Sequence, residues 1–215
     1  MYMTRLELDR SRRETVLAMS TPSRFHGAIE AGYPGERRRR LWRIDELNGR
    51  SYLLIVSEDQ PDLSAAAAQF SPPGARWETR AYDGLLASIV PGSRWHFRLT
   101  ANPTVSAPSS GGERGRVYAH VTVQQQKDWL LKRAEAHGFQ LTESSFDVTQ
   151  RRTLTFRKGS ERRPVTLGTC VFEGVLTVTD PALFRQTLTD GMGRGKAYGQ
   201  GMMTVVRERA SAGEG

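Results

Sequence analysis

Four histidines, His26, His96, His120 and His137, are the side chains of this sequence best able to move a proton near neutral pH, where an unperturbed imidazole titrates. His26 has the richest local setting. It falls in a helical stretch opened by Thr21-Pro22, with Arg24 two residues before it and Glu30 at i+4, where a carboxylate can orient the ring. By residue type alone it also reads as an ordinary solvated helix histidine. His96 shares a strand face with Arg98, opposite Trp95 and Phe97, but has no partner base. His120 alternates with Val121 and Val123 and reads as a sheet face, and His137 precedes Gly138, where it complements a helix C-terminus.

A second chemical feature is the segment 191–201, GMGRGKAYGQG, in which Gly193 and Gly195 flank Arg194 and precede Lys196. Glycines let backbone amides approach a phosphate, and the interleaved cations suit the same ligand. It is not a P-loop, because Ala197 stands where the magnesium-binding Ser or Thr would follow the lysine. It also runs from a helix into a strand, so no helix N-terminus points at a ligand, unlike a dinucleotide site. A tight irregular turn explains the glycines equally simply. Two basic clusters complete the inventory: Arg37, Arg38, Arg39 and Arg40, followed by Trp42 and Arg43, and the stretch from Arg151 and Arg152 through Arg157, Lys158, Arg162 and Arg163. The first reads as a solvated loop or a phosphate-tracking patch, the second as a β-hairpin with a basic tip.

These groups need a frame. Residues 1–8 alternate as a strand, a helical stretch follows to Gly32 and Pro34, and 41–47 and 51–56 form a hairpin about Asn48-Gly49. A short alanine-rich helix at 63–70 and a strand at 77–82 complete a β-α-β-β-α-β unit. The second half repeats that order with strands at 94–101, 139–148, 152–156, 165–178 and 202–206, and a polar loop over 106–115. Its helices are 127–137, closed by Gly138, and one that Asp180-Pro181 starts and Gly191 ends. The expected fold class is α+β, two tandem ferredoxin-like (RRM-like) domains over residues 1–90 and 91–215. The tail 210–215 is small and polar and expected to fray.

Composition narrows the partners. With 215 residues, 38% hydrophobic and 25% charged, the chain is of globular type and long enough for two domains. Lys+Arg of 31 against Asp+Glu of 23 leaves +8, a surplus that attracts polyanions, nucleic acid before membrane. No stretch approaches the ~18 apolar residues of a membrane span, and the N-terminus lacks a signal-peptide core, so a cytoplasmic location is expected. One cysteine, Cys170 in an apolar run, and four scattered histidines do not make a zinc finger or ribbon; neither metal nor cofactor is expected. No strand carries the glycine-and-aromatic RRM stacking pattern, which favours an RNA hairpin over a single strand as ligand.

Phe172-Glu173-Gly174-Val175-Leu176-Thr177-Val178, the helix after it and GMGRGKAYGQGMMTV resemble the C-terminal signature of the CRISPR repeat-RNA processing endoribonucleases of type I-E Cascade systems. The segment 97–103, FRLTANP, resembles an internal motif of the same family, and MYMTRLELDR with a histidine early in the next helix matches its opening. The resemblance implies tandem ferredoxin-like domains and metal-independent cutting of a repeat hairpin. It implies 5′-hydroxyl and 2′,3′-cyclic phosphate ends, and a product retained with other Cascade subunits. His26 corresponds to the family's catalytic histidine. Ser23 stands where some members have tyrosine, so a tyrosine-assisted mechanism does not carry over. The family places a β-hairpin in the RNA major groove, which assigns contacts to Arg157 and Lys158. The alternative is a non-catalytic subunit that grips the hairpin and scaffolds a ribonucleoprotein.

Overall fold

The fold was analysed in a computed structural model that describes residues 1–36, 38–106, 117–157 and 164–208. Alternation of Thr4, Leu6 and Leu8 with Arg5 and Glu7 makes β1 (Tyr2–Leu8), its apolar side inward. The helical stretch after it is two helices, α1 (Arg13–Ser20) and α2 (Ser23–Ala31). Thr21 does not cap α2 with its side chain; Pro22 takes the cap position, its φ of −57° already helical. β2 (Leu41–Leu47) and β3 (Arg50–Ser57) meet at Asn48 and Gly49, whose φ of 51° and 75° are the two positive angles a type I′ turn requires. α3 (Ser64–Phe70) and β4 (Glu78–Ala81) close an antiparallel sheet of order β2-β3-β1-β4. Phe25 and Ile29 of α2, Ala18 of α1 and Phe70 of α3 bury one face of it, against Leu6, Leu53 and Ile55.

After α4 (Asp83–Ala87) the order recurs. β5 (Arg94–Ala101), α5 (Val123–Ala134), β8 (Phe139–Gln140), β9 (Phe146–Phe156), β10 (Val165–Val178), α6 (Pro181–Asp190) and β11 (Met202–Arg207) form a sheet of order β11-β5-β10-β8, with β9 also on β10. The tandem ferredoxin-like architecture is therefore present, with the strands of one sheet in 2–81 and of the other in 94–207. A small hairpin of β6 (Thr104–Ser106) and β7 (Val117–Ala119) lies beside the second sheet, and most of the expected polar loop between them falls outside the described residues.

Three expectations are corrected here. α5 begins four residues early, because Thr122 and Gln125 form a reciprocal capping box. The strand expected over 139–148 stops at Gln140, and 142–145 turn on Ser145 before β9 runs unbroken to Phe156. His120 is not on a sheet face: it follows β7 in irregular backbone, and Val121 beside it is exposed.

The two domains share a buried seam. The core of the second, built on Trp129, Phe172, Phe184 and Leu99, continues into Leu41, Val56, Tyr82, Leu86 and Ile89. At its centre lies Arg43, 1% exposed. It donates to both Asp45 oxygens at 2.8 and 2.5 Å, to the Arg98 and Met202 carbonyls at 2.9 and 3.1 Å, and to Thr204 Oγ1 at 2.7 Å. Burial pulls this guanidinium below its ordinary pKa, and the Asp45 carboxylate opposes the shift. Cys170 fills the same core, where burial pushes its thiol up to about 11.

Candidate nucleic-acid interface

α2 is held by its apolar side. Phe25 packs on Phe70 and Trp42 with ring centroids 4.9 and 5.9 Å apart, and Phe25 and Ile29 are fully buried. His26, the fourth residue of α2 and so at the opening of its second turn, is turned by ~100° from Phe25 and is half-buried. Arg24 makes an exposed pair with Glu14 at 3.3 Å, an interaction of a kind worth little.

The arginine run divides by partner. Arg40 is buried, donates to Glu30 at 2.8 Å and lies 4.0 Å over the Tyr33 ring, whose hydroxyl donates to Ser57. The expectation of four adjacent surface cations is corrected at this residue: its charge is spent inside the fold, fixing α2 to the start of β2. Glu30 is thus engaged by Arg40. Arg38 pairs with Glu58 at 2.6 Å on the surface. Arg39 is turned toward Lys196, with which it lines a cavity of about 260 Å³ that also holds His137, Gln186 and Asp190. Arg37 lies outside the described residues.

The glycine-rich segment bridges the two domains. Gly191, Gly193, Gly195, Gly199 and Gly201 all have positive φ, and the rings of two tryptophans also press on two of them. A Cβ on Gly199 would sit 2.9 Å from the Trp42 ring, and one on Gly193 would sit 3.0 Å from Trp129. The segment is therefore wedged between β2 of one domain and α5 of the other. Many of its amides are occupied: Met192 donates to Gly201 at 2.9 Å, Tyr198 to Gly195 at 2.8 Å and Gly201 to Thr100 at 2.6 Å. Those amides are therefore not open to a ligand, and the polar side chains the segment carries beside them include Arg194 and Lys196. The 3₁₀ turn Lys196–Tyr198 packs against both α2 and β2. Burial pulls the Lys196 ammonium below its ordinary pKa, and the Arg39 charge adds to that.

β9 is mostly exposed from Asp147 to Thr155, so with β10 it projects as a ribbon. Arg151 and Arg152 sit at its base, beside a cleft of about 500 Å³ between the domains that also takes in Arg10, Arg98, Thr100 and Thr169. Sequence reasoning missed Arg10 and gave Arg98 no role here, because nothing in their spacing announces a shared cleft. Arg157 is exposed beyond the ribbon's last paired residue, and Lys158, Arg162 and Arg163 lie outside the described residues. His137 Nδ1 is 2.8 Å from Thr187 Oγ1. Burial, then the Lys196 and Arg133 charges, lower its pKa, which keeps it neutral. Among the described residues, no helix is long and apolar enough to cross a membrane.

Comparison with known proteins places this geometry. A family model described as CRISPR associated protein matches residues 1–207. The CRISPR-associated endoribonuclease Cse3 of Thermus thermophilus is 29% identical to this chain over 223 residues, covering 96% of the chain and 100% of that protein. A structure of the CRISPR endoribonuclease Cse3 bound to 19 nt RNA is similar with a TM-score of 0.81 and 26% identity, over 96% of this chain and 100% of that one. Thermus thermophilus Cse3 bound to an RNA representing a pre-cleavage complex is similar with a TM-score of 0.78 and 27% identity, over 95% and 98% of the two chains. Cas6e from Escherichia coli K-12, 18% identical with a TM-score of 0.61 over 97% and 100%, shares the fold.

Proposed function

The chain belongs to the CRISPR associated protein family, and from that premise we propose that it is a metal-independent endoribonuclease that binds the hairpin of a CRISPR repeat and cuts precursor CRISPR RNA. The observation that carries this reading is the packing of α2, with His26, against the turn that bears Lys196. It brings the helix that carries a histidine, the side chain suited to general acid–base work, and a cation-bearing turn to one side of the molecule. The resemblance to Cse3, over 96% of the chain, supplies the substrate class.

In this mechanism the 2′-hydroxyl oxygen attacks the adjacent phosphorus. The O2′–P bond forms, the P–O5′ bond breaks, and the ends left are a 2′,3′-cyclic phosphate and a 5′-hydroxyl. His26 takes the 2′-hydroxyl proton or delivers one to the leaving 5′-oxygen. Lys196, with Arg39 beside it, and Arg24, on the helix of His26, stabilise the charge that builds on the phosphoryl oxygens. Ser23 opens α2 and brings no phenol to the site. Arg151, Arg152 and Arg157 grip the repeat stem, where an A-form groove is read by shape and phosphates, and the family resemblance assigns Lys158, Arg162 and Arg163 to the same task. Arg194, between Gly193 and Gly195, grips its backbone. Arg37 and Arg38 add phosphate contacts of the same kind. The protein then stays on its product as a subunit of a cytoplasmic Cascade-type ribonucleoprotein.

The test is single-turnover cutting of the cognate repeat hairpin in EDTA, with end-group analysis. Rapid cutting to cyclic-phosphate ends, lost in His26→Ala with RNA binding retained, is expected. Tight binding without cutting under any condition would instead establish the non-catalytic scaffold.

A further inference from the structure

A cavity of about 490 Å³ lies between α5, the β6–β7 hairpin and the opening of the glycine-rich segment. Of the proposed site it includes only Gly193 and Arg194. Its polar wall is made by Ser106, His120, Gln125, Lys132, Arg133 and Arg194. Asp128, the acid in the lining, already accepts from Gln124 at 2.9 Å. Lys132, Arg133 and Arg194 form no ion pair among the described residues. Elsewhere Arg5, Arg38, Arg40, Arg50 and Arg94 each find a carboxylate. Unneutralised cations converging on a concave surface attract an anion.

Two of the cations are also held in place. Arg133 lies 4.6 Å over the Trp129 ring and donates to the Trp129 carbonyl at 3.1 Å. Its remaining donors are aimed by that stacking at little entropic cost. Burial lowers its pKa, the behaviour of a guanidinium with no carboxylate to compensate it. Arg194 is steadied by Ser106 Oγ at 3.3 Å and by the bridge of its backbone to Asn102. Gly193 lets that backbone lie against Trp129, whose ring a Cβ would strike.

We propose that this cavity is a second phosphate subsite, in which Lys132, Arg133 and Arg194 hold a phosphodiester of the bound RNA away from the scissile one. The proposal rests on the RNA-binding reading above. A nucleotide suits the surroundings better than a free anion. Tyr118, 51% exposed, lies directly across from the cavity-lining Val105 on the same hairpin face, and offers an aromatic surface beside the phosphate. The cavity also adjoins the ribbon, since Arg151 donates to the Val121 carbonyl at 3.3 Å, next to His120. The glycine-rich segment then has two working sides, Lys196 toward the cavity it shares with Arg39 and His137 and Arg194 toward α5.

The test measures RNA affinity against salt for the native protein and two variants, Lys132→Gln/Arg133→Gln and Lys132→Gln/Arg194→Gln. The second pair leaves the Arg133–Trp129 stack untouched, so it remains informative if the first fails to fold. The probes are the repeat hairpin alone and the hairpin with its flanking single strands, both made non-cleavable by a 2′-deoxy sugar at the cut. Loss of about tenfold in affinity at low salt is expected, with the log–log salt slope falling by roughly 0.7 to 0.9 for each contact removed. Loss confined to the flanked RNA assigns the subsite to a flanking strand, and equal loss on both assigns it to the stem. Unchanged affinity and slope in a folded variant, alongside native binding and cutting, overturns the subsite alone. A native protein that binds neither RNA overturns the parent reading and this one with it.

Discussion

Replacing Arg43 by methionine should cost this protein more stability than any surface substitution, and the structure says by how much. Methionine keeps most of the stem's packing but strands Asp45, whose side chain is 9% exposed, and removes donors from two carbonyls and Thr204. Breaking one side of a buried ion pair costs about 3–5 kcal/mol. Arg98 Nε remains 3.3 Å from Asp45 and compensates in part, which points to the lower end, about 3 kcal/mol. In a chain of this length each kcal/mol lowers Tm by about 2–4 °C, so a fall of roughly 6–12 °C is expected. In urea the midpoint should fall at constant m. The double variant Arg43→Met/Asp45→Leu leaves no stranded charge and should recover at least half of the loss. A single variant within about 1 kcal/mol of native would refute the reasoning. So would a double variant no better than the single, since the cost would then lie in the orphaned carbonyls. Because Arg43 ties β2 to β5 and β11, and β2 carries Trp42 against Gly199, the folded single variant should also bind RNA less tightly.

Gly199→Ala should destabilise by about 2 kcal/mol, from left-handed strain plus a Cβ 2.9 Å from the Trp42 ring, and should slow cutting. Gly74→Ala, with a similar φ of +78° and open space around it, should pay the strain alone and cut normally, as parallel melting and cleavage assays would show. Acidification should weaken the fold through His137. Its pKa is lowered in the folded state from an ordinary 6.5, so the unfolded chain takes up the proton first. The contribution is fully present above about 6.5 and is lost as pH falls through the depressed value. His137→Gln should therefore flatten the fall in Tm between neutral and mildly acidic pH. Arg151→Gln/Arg152→Gln should reduce the salt slope of repeat binding by roughly 0.7–0.9 per lost phosphate contact, and an unchanged slope would remove the ribbon base from the interface.

Much of the frame was legible because it is written in short-range signals. Asn48-Gly49 allows the two positive φ angles of its turn, Gly138 closes its helix at φ 79°, and Asp180-Pro181 caps the helix that Gly191 ends. The alternation of Trp95, Phe97 and Leu99 with His96 and Arg98 gave both the strand and its buried face. Legibility failed where a side chain or a distant neighbour overrode the local pattern. Thr122 and Gln125 extended α5 beyond its apolar periodicity. Ten residues of pairing with β10 kept β9 continuous, where the residues alone gave two pieces.

The candidate site divides along the same physical line. The sequence by itself determined the tandem ferredoxin-like frame, the surplus of cations, the position of His26 on an early helix and, through the glycine-rich block, the family. What only the tertiary structure decided is which charges are available. Arg37 to Arg40 look alike in sequence, yet Arg40 is consumed by Glu30 and Tyr33 while Arg39 is turned toward Lys196. Arg43, next to that run, became the seam between domains through partners as distant as Met202 and Thr204. The glycines of 191–201, legible as a phosphate cradle, are required by close packing, Gly199 and Gly193 by the rings of Trp42 and Trp129 and Gly191 and Gly201 by each other's stretch of backbone. The reason is general. Backbone preference is set by a residue and its near neighbours, whereas the fate of a charge or of a missing Cβ depends on what the folded chain brings to it from far away in sequence.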